Sequence, residues 1–118
     1  MISLSAAQAK TKRNAAINFP RDAHGRLIAA MPDDTMTGEI ECRNKIIIDN
    51  RPHKFLEDGI FAFLIDGIFM VKRLQFLPDG VLVLPNNKNY QNWKIEPSDK
   101  CELLIIGRVV LSLSERTH

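Results

Sequence analysis

Residues 59–84, GIFAFLIDGIFMVKRLQFLPDGVLVL, leave this chain little choice of fold. Three apolar runs are punctuated by Asp66-Gly67 and Pro78-Asp79-Gly80. Asp-Gly between apolar runs is the strongest short hairpin signal, because it supplies two adjacent residues that tolerate positive φ. The first run, 59–65, is apolar at odd and even positions alike, which predicts a central strand covered on both sides. The three runs together predict an antiparallel meander.

The flanking sequence extends the β pattern. RLIAAM (26–31) predicts a short strand, PDDTMTG (32–38) a loop rich in turn formers, and EIECRNKIIID (39–49) a strand ending at the Asn50-Arg51-Pro52 turn. PNNKNYQNW (85–93) predicts a polar loop, with Tyr90 and Trp93 capping one end of the core. CELLIIGRVVLSLS (101–114) predicts a long last strand, bulged or bent at Gly107. The class is all-β, with a closed, barrel-like sheet expected over residues 27–118. Residues 1–26 carry Lys10, Lys12, Arg13, Arg21 and Arg26 against Asp22, a net +4, while the remainder is −2. They are expected to form a flexible basic arm with at most a short helix in AAQAKTKRNAA. One aromatic, Phe19, is too few to give this arm the stacking residues of a single-strand binder.

Several functions are excluded by what is missing. No apolar run approaches the ~20 residues that cross a bilayer, and the first dozen residues lack the apolar centre of a signal peptide. A cytoplasmic location and no membrane partner are expected. Cys42 and Cys101 lie in strand-like runs and read as small buried apolar residues rather than a disulfide. His24, His53 and His118 share no ligand spacing with them, so neither a metal nor a cofactor is expected.

One residue breaks the pattern. In GIFMVKRLQF (67–76) alternate residues Ile68, Met70, Lys72, Leu74 and Phe76 should face inward, and the third is a lysine. An edge strand can carry an inward charge to block aggregation. A lysine can also extend its amine past its neighbours to water. The third account is chemical: an apolar setting disfavours the ammonium, and a free amine can take a proton from a hydroxyl, as in Ser–Lys dyads. The hydroxyls of the 32–38 loop, Thr35 and Thr37, are better placed for this than those near the termini.

DDTMTGEIECRNKIIID resembles, without gaps from Asp34 to Asp49, the G-D-S-M-x-P signature and following strand of LexA-like and phage CI-type repressors. LEDGIFAFLIDGIFMVKRLQFLPDGVLVLPNN, with its lysine in V-K-R-L, and LLIIGRVV resemble the later segments of the same family. The resemblance covers 32–113, and it implies the LexA C-terminal fold, shared with bacterial signal peptidases. It also implies a domain that dimerises, follows a DNA-binding helix-turn-helix domain absent from this chain, and cuts its own chain when a RecA filament stimulates it. Carried over by position, Thr35 takes the nucleophile's place and Lys72, 37 residues later, the base's. The backbone N–H groups at Thr35 and Met36 stand where the oxyanion is held.

Three departures shape the functional expectation. Threonine replaces serine, and its methyl stiffens χ1 and crowds attack. Asp33 replaces the glycine, and Thr37-Gly38 stands where x-P is usual. The scissile Ala-Gly or Cys-Gly bond is expected at or before Met1, since Gly25, after His24, is too close to Thr35. The expectation is a homodimerising, or further associating, part of a phage repressor with degenerate Thr-Lys autopeptidase chemistry. Such a protein answers to an antirepressor or a RecA filament. The alternatives are an active autoprotease of the SOS response and a UmuD-like polymerase accessory protein.

Overall fold

The computed structural model describes residues 19–51 and 57–114. Seven strands form one antiparallel sheet: β1 (Leu27–Ala30), β2 (Lys45–Asp49), β3 (Gly59–Ile65), β4 (Ile68–Leu77), β5 (Gly80–Leu84), β6 (Trp93–Ile95) and β7 (Leu103–Leu113). Their order across the sheet is β1-β2-β7-β3-β4-β5-β6. No described residue is helical, and no helix there is long and apolar enough to cross a membrane.

The meander forms where the turn chemistry directs it. Asp66 and Gly67 both adopt positive φ, 49° and 83°, and so pair Ile65 with Ile68. Strand β3 lies between β7 and β4. Its alternate residues serve two cores: Ala62 and Leu64 join the first cluster, Phe61 and Phe63 the second. The apolar character of both faces of 59–65 is thereby explained.

The sheet is all-β as expected but does not close. Its ends, β1 and β6, are four and three residues long and have no register with each other. The distribution of the cores gives the reason. Strands β1 and β2 contribute to the first cluster, together with Met31, Met36 and Ile40 from the 31–44 segment. Strands β5 and β6 contribute Val81, Val83 and Ile95 to the second. The two ends of the sheet thus serve opposite faces of β3 and β7 and do not meet.

Strand β7 carries two irregularities. Its pairing shifts opposite Ala62/Phe63 and again opposite Ile47/Ile48. Gly107 lies between them, and a Cβ there would come within 2.3 Å of the Asp49 carbonyl oxygen. The expected bulge lies beside this glycine, and the close approach of two backbones leaves no room for a side chain at Gly107 itself.

Other expectations need correction. Only Lys45–Asp49 of the 39–49 stretch is strand; Arg43 has φ 71° and the preceding residues turn, with the Ile40 N–H bonded to the Met36 carbonyl. Cys42 is therefore exposed in a turn, and Cys101 is half-buried ahead of β7, both as free thiols. Tyr90 and Trp93 do not cap a core but are exposed, and Trp93 opens β6. Ile68, first in the inward row of β4, is exposed because it lies at the hairpin tip, beyond the cover of the cores. The Asn50-Arg51-Pro52 turn, AAQAKTKRNAA and much of the basic arm fall partly or wholly outside the described residues. Phe19 does lie within them, 5.3 Å from the Phe69 ring centroid and packed on the first cluster.

Candidate active site

The site is built from one loop and one strand. Lys72 lies in β4, between β3 and β5, so the edge-strand account of its charge is excluded. Its side chain is only 8% exposed, so the amine does not reach out to water either. It stands between Met70 and Leu74 of the second cluster, directly across from Phe61. Arg108, paired with Phe61 from the other side, lies over that ring with its guanidinium carbon 4.8 Å from the centroid.

The loop at 33–38 brings the hydroxyl. Thr35 is buried, and its Oγ1 lies 3.3 Å from Lys72 Nζ. The Met36 side chain is fully buried in the first cluster and anchors the loop there. The 86–90 segment holds the loop from outside. Asn87 donates its backbone N–H to the Thr35 carbonyl at 2.8 Å and its side-chain amide to the Asp34 carbonyl at 2.9 Å. Asn86 donates to the Thr37 carbonyl at 2.8 Å, and the Tyr90 hydroxyl bonds the Asp34 carboxylate.

A third group enters that motif and spacing do not announce. Asp33 Oδ1 accepts the Thr35 hydroxyl at 2.6 Å and the Thr35 backbone N–H at 3.1 Å. Its Oδ2 lies 3.7 Å from Lys72 Nζ. A carboxylate can only accept here, so the one hydroxyl proton of Thr35 points to Asp33 and Lys72 donates to the same oxygen. Burial pushes the Lys72 amine below the usual lysine range, while the charge of Asp33 and its hydrogen bond pull the other way. The departure from glycine at position 33 was visible as a change of loop; that its carboxylate reaches both partners depends on how the loop turns.

Among the described residues no group of three or more His, Cys, Asp or Glu side chains could hold a metal ion. What the loop and strand bring together is a hydroxyl and a buried amine, the pair used by lysine-assisted hydrolases that work without histidine. An antiparallel sheet carrying that pair resembles a peptidase-type fold. The chain belongs to the Peptidase S24-like family, which it matches over residues 5–110. A 26 kDa repressor protein of Escherichia phage HK022 is 32% identical over 81 residues, covering 69% of this chain and 34% of that protein. The chain thus spans about a third of that relative's length, and the resemblance to the phage and LexA-like repressors holds.

Proposed function

We propose that the chain is the self-associating C-terminal part of a phage-type transcriptional repressor in which self-cleavage is impaired. Thr35 occupies the nucleophile's place, Lys72 the base's, and the backbone N–H of Met36 borders the oxyanion position. One observation carries the reading: Thr35 Oγ1 lies 2.6 Å from Asp33 Oδ1, which can only accept, and 3.3 Å from Lys72 Nζ, so its proton is assigned to Asp33. A base must accept the proton it removes. The Thr35 N–H, which would also serve the oxyanion, is committed to the same carboxylate. DNA binding belongs to a helix-turn-helix domain outside this chain, and release from DNA to a partner such as an antirepressor.

Self-association is supported by the far end of β7, where Val110, Leu111 and Leu113 are 43%, 45% and 43% exposed. Sedimentation equilibrium should give a dimer or larger species at high micromolar concentration; monomer alone would refute self-association. Mass spectrometry after alkaline incubation should find the chain intact. Fragments that disappear on Lys72→Ala would establish the competing reading, a working Thr-Lys autopeptidase, which the burial of the amine favours.

A further inference from the structure

The carboxylate of Asp33 binds both members of the pair at once, one oxygen to each. The Thr35–Lys72 separation of 3.3 Å shows that the two are close enough to react. Distance is therefore not what holds the pair at rest; the direction of the hydrogen bonds is.

We propose that Asp33 is a positioning residue that latches the pair: one carboxylate oxygen holds the Thr35 hydroxyl, and the other pairs with the Lys72 ammonium. The hydroxyl proton then points away from the amine that would take it. This rests on the peptidase-derived reading above but is separable from it. Glycine has no group to make either contact. Asparagine keeps the carbonyl oxygen that caps the Thr35 N–H, yet carries no charge to set against Lys72. The Asp33 side chain is 40% exposed, so it can turn to water; the buried Lys72 ammonium it leaves behind then has no opposite charge and gives up its proton more easily. Lys72 itself cannot turn to water.

Two measurements on the intact chain test the latch. In the first, the titration of Lys72 is followed by NMR with isotope-labelled lysine, the signal being assigned with Lys72→Arg. Removing an opposite charge at this range should lower the Lys72 midpoint by about one pH unit or more in Asp33→Asn and Asp33→Gly. In the second, the proteins are treated with a fluorophosphonate. The Thr35 oxygen forms a bond to phosphorus as the P–F bond breaks; fluoride leaves and the hydroxyl proton passes to Lys72. Labelling of Thr35 should rise roughly tenfold or more in Asp33→Gly, which removes the acceptor of the hydroxyl, and less in Asp33→Asn, whose amide oxygen still accepts it. A lowered midpoint without labelling, even in Asp33→Gly combined with Thr35→Ser, would support the latch and refute the peptidase-derived reading. An unmoved midpoint in both folded variants, or labelling of the unaltered chain as fast as of the variants, would overturn the latch.

Discussion

Two lysines on neighbouring parts of the sheet make the same pair and obey opposite rules. Lys94, in β6, bonds the Asp79 carboxylate at 2.7 Å, and that hydrogen bond raises its pKa. Lys72, in β4, has Asp33 at 3.7 Å, but burial dominates and its pKa is lowered. The sign of the shift follows from what else surrounds the amine. At the sheet edge water already solvates the charge, and the partner adds a little. Between Met70 and Leu74 the solvation has been removed, and one carboxylate at longer range does not restore it.

Three substitutions and one titration would break or sharpen this contrast. The largest is Leu74→Ala, in the same row of β4 as Lys72. Leu74 is fully buried, so thermal or denaturant unfolding should show a loss of about 2–5 kcal/mol. Lys72→Met should act in the other direction. It replaces a desolvated amine by an apolar chain of similar volume and leaves Asp33 free to hydrate. A gain of about 1 kcal/mol is expected; a loss of that size would mean that the Thr35–Asp33–Lys72 contacts outweigh desolvation.

That gain should depend on pH. With its folded pKa lowered, Lys72 binds its proton more tightly in the unfolded chain, so protonation favours unfolding. The penalty is complete below the folded value and disappears as pH rises through the ordinary lysine value of 10.5. The advantage of Lys72→Met should therefore shrink from neutral pH towards 10.5. Lys94 runs the other way: its raised pKa gives a favourable contribution present below 10.5 and lost above its folded value. The smallest effect is Lys94→Met, which should leave the melting temperature within experimental error at neutral pH and low salt.

The same contrast shows what the sequence could reveal. The meander over 59–84 was legible because its signals are local: period-two apolar runs, an Asp-Gly turn and a Pro-Asp-Gly turn. Thr35 and Lys72 could be picked out, the lysine because it interrupts an apolar row and the threonine because it lies in a turn-rich loop with a familiar signature. Their meeting at 3.3 Å is a property of the fold. Asp33 was noticed as a departure, but its two contacts depend on backbone turns that no periodicity records. The open sheet escaped notice because closure depends on which face each end covers, and strands as short as β1 and β6 carry almost no pattern. Strand β6 itself was hidden in a run of asparagines, and Cys42 was misplaced because the turn at Arg43 takes a positive φ that its sequence does not advertise.

The hold of Asn86, Asn87 and Tyr90 on the 34–37 loop joins segments 49 to 56 residues apart. Those residues sit between β5 and the three-residue edge strand β6, and short edge strands are where a sheet opens first. When that end frays, the loop loses its outer hydrogen bonds together, while Met36 still ties it to the first cluster. The expected consequence is a local opening, well short of unfolding, in which Thr35 is released from one side only. In native-state hydrogen exchange the Asn87 amide, whose acceptor is the Thr35 carbonyl, would exchange with β6 and report that opening directly.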